Sequence, residues 1–232
     1  MTSPTMVPAI TFEEFWSWEA AAEMLPELLS AFVRATLLIT VVGTAVAVVV
    51  GLLLAVATQS LPRALAAGLR WVMDVVRMTP LIIQLMFVSY LVPVSWDLLW
   101  VGTAVIGLHY ATYMAESYIA GIASVDRGQW EAARALSLPL GRTWRAIVLP
   151  QALRAILPPA FNEIISLVKG TSIVYVLALG DLFYTAQIIY SRTNEVIPML
   201  MVATIWYIVI TTALNIVQYY VERRVARGAV RT

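Results

Sequence analysis

The sequence predicts an all-α integral membrane protein with five transmembrane helices, its N-terminus outside the cell and its C-terminus inside. Three observations carry this expectation. Hydrophobic residues make up 61% of the 232 positions and charged residues 12%, against roughly 45–50% and 25% in soluble domains; mean hydropathy is +0.83. The apolar residues fall in long uncharged runs, and at about 20 residues per span a chain of this length holds five or six helices at most. Lastly, the arginines gather on one set of connecting segments.

Residues 1–30 carry Glu13, Glu14, Glu19, Glu23 and Glu27 and no basic residue. A signal peptide has a positive start and a short apolar core, which this segment lacks. Phe12, Phe15, Trp16 and Trp18 among those acids predict an extracytoplasmic helix lying at the interface, aromatic side inward; a disordered tail is the alternative. The membrane domain is then 31–225, with 226–232 a cytoplasmic tail. The first span is the uncharged run 35–57, bounded by Arg34. Gly43, Ala47 and Gly51 within it set small residues four apart, a face suited to close helix packing. The next uncharged run, 78–96, lies between Arg77 and Asp97 and contains Pro80 and Pro93. It predicts a helix from 71 or 75 to 91 that crosses with one pinch at Pro80. The third span is 99–122, with Glu116 inside it. The fourth is 156–179, interrupted by Glu163, Lys169 and Gly170. The fifth is 196–221, with Pro198 in its first turn, where proline is tolerated. No internal repeat or low-complexity segment is evident.

Charge sets the orientation. One set of loops holds Arg63, Arg70, Arg127, Arg134, Arg142, Arg145, Arg154, Arg223, Arg224, Arg227 and Arg231, eleven in all. The opposite set holds Arg34 and Arg192 beside the glutamate-rich N-terminus. Positive charge stays inside, so the 124–155 loop and the C-terminus are cytoplasmic.

That loop is the one long segment too polar to cross a bilayer. Asp126 with Gln129 three residues on reads as a capping box, which predicts a helix over 127–136. Pro139 disfavours helix at Leu138. A second short helix over 142–149 is expected to end at Pro150. Two basic amphipathic helices joined by a turn make a docking surface; the alternative is an arginine-rich solvated loop.

Within it, Glu131-Ala132-Ala133 is followed by three residues, Ser137, nine residues, then Ile147-Val148-Leu149-Pro150. This resembles the cytoplasmic signature of the membrane subunits of ABC importers, with Ser137 in place of its glycine. The resemblance implies a coupling helix seated in a groove of an ATP-binding subunit, with Glu131, Ala132, Ala133, Ser137, Ile147, Leu149 and Pro150 as coupling residues. A glycine there serves as a helix C-cap, and serine costs roughly 1 kcal/mol if the site needs positive φ.

Ionisable and polar groups at membrane depth mark the candidate solute path. His109, Tyr113 and Glu116 are spaced i, i+4, i+7 on one helical face. Asn162, Ser166 and Lys169 repeat that spacing, with Glu163 beside the stripe and Gly170, Thr171 and Ser172 after it. Gly170 is expected to let the helix unwind and turn backbone groups to a cavity. Arg77, Thr79, Pro80 and Gln84 form a further polar cluster. The alternative for the whole set is a network of interhelical hydrogen bonds and a Glu–Lys pair that hold the bundle together; for Glu116, near the cytoplasmic end of its helix, that structural reading leads. His109 is the sole histidine and there is no cysteine, so no metal site is expected.

Three of these stretches are similar to motifs of polar amino-acid importers: Arg77-Met78-Thr79-Pro80-Leu81 with Gln84, Ala115-Glu116 with Gly121-Ile122, and Lys169-Gly170-Thr171-Ser172. Met78, Ile119 and Gly170 depart from the usual glycine, arginine and acid. The similarity spans about 36–227. It implies a permease of the bacterial inner membrane that works with an ATP-binding subunit, a second permease copy or homologous permease, and an extracytoplasmic solute-binding protein. ATP and Mg would be bound by the partner. The chain itself lacks a phosphate-binding loop, since its one lysine, Lys169, follows Val168 inside a span. It has no nucleic-acid signature and no cofactor of its own. A secondary transporter or channel needs no docking loop and usually shows repeats. A membrane-embedded enzyme needs paired catalytic groups, for which Glu163 and Lys169 are the one offer. The solute stays open among basic, acidic and neutral amino acids and zwitterionic compatible solutes.

Overall fold

The computed structural model describes residues 18–193 and 196–227, all helix and connecting turns. Most of the predicted interfacial segment, with Phe12, Phe15 and Trp16, and the end of the tail lie outside the described residues. Four helices among those described are long and apolar enough to cross a bilayer, and a fifth span is reached if one bent pair is counted as a span.

Helix α1 (Trp18–Ala31) runs into α2 (Leu37–Ser60) through a π turn at Phe32–Thr36. The helix that contains the expected first span, Ala21–Ser60, is 40 residues long and runs beyond 35–57 at both ends. Its extra turns are fixed by packing: Met24 and Leu28 are buried against Leu182, Ala186 and Met199.

Helices α3 (Arg63–Met78) and α4 (Leu81–Leu91) meet at 103°. The expectation of one crossing helix pinched at Pro80 is thus corrected to a broken one. Pro80 has no N–H and forces the preceding residue out of the helical region; Thr79 is extended, at φ −92° and ψ 131°.

Helix α5 (Leu98–Ala123) is the centre of the bundle, packed against α2, α4 and α8. Its contact with α2 uses the predicted stripe, in which Gly43, Ala47 and Gly51 are all buried. A Cβ at Gly51 would lie 2.8 Å from Met114 Cβ and 2.9 Å from the Ala111 carbonyl oxygen, so the approach requires glycine.

After α6 (Arg127–Ala135), α7 (Leu140–Thr143), a π turn at Trp144–Val148, α8 (Leu149–Gly170) and a 3₁₀ segment (Thr171–Leu177) follow without interruption. Together they make one apolar helix, Leu140–Leu177, of 38 residues. Two expectations change here. Pro150 does not end a short helix, because it sits in the first turn of α8, where a missing N–H costs least, and the π turn before it shifts the hydrogen-bond register. Nor does the helix unwind at Gly170; it tightens to 3₁₀ geometry. A short helix α9 (Leu182–Thr193) then leads to α10 (Val196–Arg227), which runs past the predicted end at 221.

Candidate functional site

The break at Pro80 sets up the site. It strands carbonyl groups at the end of α3, and a side chain from α4 takes them up. Gln84 Nε2 donates to the Val76 oxygen at 2.7 Å and to the Thr79 oxygen at 3.1 Å. The amide oxygen of Gln84 accepts from His109 Nδ1 at 3.1 Å, which assigns the imidazole proton to Nδ1. One helix turn further along α5, the Tyr113 hydroxyl donates to the Arg77 oxygen at 3.3 Å. The rings of His109, Tyr110 and Tyr113 lie 5.3–6.1 Å apart. Two side chains of α5 therefore clamp the two arms of the broken helix.

This geometry aims Arg77 at α5. Its guanidinium pairs with Asp74 on its own helix and with Glu116 at 3.1 Å. Beyond it a groove of about 410 Å³ opens between α5 and α8. Tyr113, Glu116, Ser117, Ala120 and Gly121 line one side, Ala155, Pro159 and Glu163 the other, with Arg77 at the end.

The candidate path residues are thus divided. Tyr113, Glu116 and Glu163 share the groove. Gln84 and His109 sit behind it as the clamp. Asn162 and Lys169 are exposed on other parts of α8 and do not line it, and Lys169 forms no ion pair with a described residue. The Thr171 and Ser172 hydroxyls donate to the Val168 and Lys169 oxygens at 2.7 and 2.8 Å, back-bonding within their own helix. Ser166 contributes its carbonyl, which accepts from the Tyr110 hydroxyl at 2.9 Å. Gly170 makes room for that ring: a Cβ there would lie 2.8 Å from the Tyr110 hydroxyl.

Sequence reasoning missed Tyr110, although its position beside His109 was the available signal. It also missed Asp74, three residues before Arg77, and Asp181. Asp181 is fully buried and caps α9, accepting from the Phe183 and Tyr184 N–H groups at 3.0 and 3.2 Å. Burial pushes its carboxyl up to about 6, against the lowering effect of those bonds. The neighbouring Leu182 N–H donates to Thr36 Oγ1 at 3.1 Å, tying α9 to the first span.

The hairpin formed by α6 and α7 is built from its turn. Asp126 caps α6 by accepting from the Gly128 N–H at 2.7 Å. Gln129 does not complete the expected capping box; its amide oxygen instead accepts from Gln151 Nε2 at 3.5 Å. At the other end Ser137 has φ +51°. The Ser137 N–H donates to the Arg134 oxygen at 2.9 Å and the Leu138 N–H to the Ala133 oxygen at 3.0 Å, a Schellman cap in which serine holds the usual glycine position. Trp130 and Trp144 pack edge to face at 5.3 Å and join the two arms. Ala133 is buried beneath, while Glu131, Ala132, Ser137, Leu149 and Pro150 are exposed and Ile147 half-buried. Leu136 and Leu140 stand out at 72% and 68% exposure.

A family model for the binding-protein-dependent transport system inner membrane component matches residues 47–227. The chain belongs to this family. It is 35% identical over 215 residues to the arginine transport system permease protein ArgU of Corynebacterium glutamicum, covering 85% of this chain and 68% of that one. To the L-cystine transport system permease protein TcyB of Bacillus subtilis it is 31% identical over 229 residues, covering 95% and 96%. The arginine transport system permease protein ArtQ of the same organism is 34% identical over 197 residues, covering 82% and 88%. A crystal structure of an amino acid ABC transporter with histidines superposes with a TM-score of 0.81 at 28% identity over 90% of this chain and 98% of that one. The methionine ABC transporter MetNI, at 20% identity, shares the fold with a TM-score of 0.72 over 88% of this chain and 98% of that one. This binding-protein-dependent permease is therefore a multi-pass component of the inner membrane.

Proposed function

We propose that this permease forms the membrane channel of an ATP-driven amino-acid importer, with the α6–α7 hairpin docked on a separate ATP-binding subunit and the α5–α8 groove serving as the solute site. The hairpin is the observation that carries the reading. It presents Leu136 and Leu140, both largely exposed, between Glu131 and the arginines Arg134, Arg142 and Arg145. Apolar side chains raised on a Schellman-capped turn and flanked by charge suit a pocket on a protein partner. Because α7 continues into α8 without a break, a push on the hairpin moves the wall of the groove that carries Glu163.

On this reading the bent α3–α4 pair counts as one span, so the permease crosses five times with its N-terminus outside and its hairpin and C-terminus inside. The exposed face of α8 with Asn162 and Lys169 is where a second permease copy, or a homologous permease, completes the pathway. ATP and Mg act on the partner subunit, and an extracytoplasmic binding protein delivers the solute.

Co-purification tests this directly. The wild-type permease should retain its ATP-binding subunit through detergent extraction, with hydrolysis stimulated by loaded binding protein. Glu131→Lys should insert normally yet lose the subunit, because it reverses charge beside the apolar knob. Wild-type assembly and stimulated hydrolysis in Glu131→Lys would remove the hairpin from the docking role.

A further inference from the structure

A second groove, of about 440 Å³, opens on another side of α8 at the hairpin end of the bundle. Leu52 and Val56 of α2 form one wall, Leu149 and Leu153 of α8 the other, and Tyr118 and Ile122 of α5 the floor. The four wall residues are exposed. Trp144 and Ile156 also line the groove; the twelve residues between them rise about 18 Å, against about 15 Å for the hydrocarbon of one leaflet. The groove therefore has the depth of a single acyl chain. Leu153 lies nine residues from Asn162, roughly 180° around the helix, so this groove faces away from the side of α8 assigned above to a second permease.

Its polar groups gather at one end, where Gln59 and Ser60 finish α2 and Trp144 opens the arm of the hairpin. The Gln59 amide donates back to the Ala55 oxygen at 3.3 Å. The Ser60 hydroxyl and the Trp144 indole N–H make no hydrogen bond with a described residue, although Trp144 packs on Trp130. A tryptophan with a free N–H at the end of an apolar groove is typical of the membrane interface. Two cations flank this end in sequence: Arg145 follows Trp144, and Arg63 is three residues past Ser60. Both are exposed and neither pairs with a described carboxylate. No acid lines the groove. We propose that it seats an anionic diacyl phospholipid, with one acyl chain between α2 and α8 and the phosphate among Ser60, Trp144, Arg63 and Arg145. Basic pockets between membrane helices select such headgroups, whereas a choline headgroup would set its own cation beside the two arginines.

The test places the permease–ATPase complex in phosphatidylcholine nanodiscs doped with one of two probes. These are phosphatidylglycerol and phosphatidylcholine carrying a diazirine at the same point of the acyl chain, and labelled peptides are mapped after illumination. In the wild type the phosphatidylglycerol probe should label segments 52–60 and 144–156 at least roughly fivefold more than the phosphatidylcholine probe, the effect of one basic residue near an anionic lipid. Arg63→Gln combined with Arg145→Gln should bring the two probes level there. Val56→Trp, which fills the groove from an exposed position, should remove labelling of both segments and leave that of the exposed Ile208 and Val209 of α10. Thermal unfolding checks both variants, and the wild-type map decides alone where one fails to fold. Equal labelling by the two probes in the wild type, or a preference that survives loss of both arginines, would reduce the occupant to ordinary boundary lipid and overturn the proposal. Absence of label from both segments, with Ile208 and Val209 labelled, would overturn it too, by showing that a protein partner covers the groove.

Discussion

Replacing Gln84 by leucine separates a structural from a solute-binding role for the most connected side chain at the helix break. The change preserves bulk and removes three hydrogen bonds, to the Val76 oxygen at 2.7 Å, the Thr79 oxygen at 3.1 Å and His109 Nδ1 at 3.1 Å. Side-chain hydrogen bonds within membrane helices average about 0.6 kcal/mol, so the three together contribute about 2 kcal/mol. For a chain of this size each kcal/mol shifts the melting temperature by roughly 2–4 °C, which places the expected drop at roughly 4–8 °C. The assay is thermal unfolding of the purified complex, paired with solute binding on the same preparation. A clamp predicts lower stability together with weakened binding, because Arg77 follows the α3 arm that Gln84 holds. A variant that melts like the wild type but binds no solute would refute the clamp and make Gln84 a direct ligand. A variant unchanged in both would show that the 103° bend needs no side-chain support.

Other predictions follow from single residues. Ser137 lies at φ +51°, so Ser137→Gly should stabilise the hairpin by about 1 kcal/mol and Ser137→Val should destabilise it, both read by thermal unfolding. Burial raises the Asp181 carboxyl from 3.8 to about 6, so the folded protein keeps a proton that the unfolded chain has released. Stability should therefore fall as pH rises from below the unfolded value through about 6, and Asp181→Asn should flatten that slope in pH-dependent melting curves. The chain has no native cysteine, so Val94→Cys, at a fully exposed turn after α4, should react with an impermeant maleimide in intact cells. Arg145→Cys, on the exposed hairpin, should react only after permeabilisation; the reverse pattern would invert the orientation.

The sequence was most legible where one physical quantity dominates. Uncharged runs located the long helices because a bilayer tolerates little else, and the spacing of Gly43, Ala47 and Gly51 announced the close α2–α5 contact. Conformation at Ser137 followed from its place at a helix end. Tertiary partners decided the rest. Pro80 announced a disturbance, but its size depends on Gln84 reaching back and on His109 and Tyr113 reaching across, the last two from 25 and 36 positions away. Pro150 looked like a stop because proline usually is one, yet a π turn and a first-turn position absorbed it. Gly170 looked like a hinge, whereas its role is to admit Tyr110. The polar stripe on α8 was real as a sequence period. Packing then sent Glu163 into the groove and left Asn162 and Lys169 outside it, a division that spacing alone does not determine.

Energy-coupled uptake into proteoliposomes tests the central claim most directly. The permease is reconstituted with its ATP-binding subunit, ATP is sealed inside, and binding protein loaded with its labelled amino acid is supplied outside. Labelled solute should accumulate only with enclosed ATP, and Glu131→Lys permease, inserted to the same level, should give none. Accumulation without the ATP-binding subunit, or unchanged uptake with Glu131→Lys, would contradict an ATP-driven permease coupled through the α6–α7 hairpin.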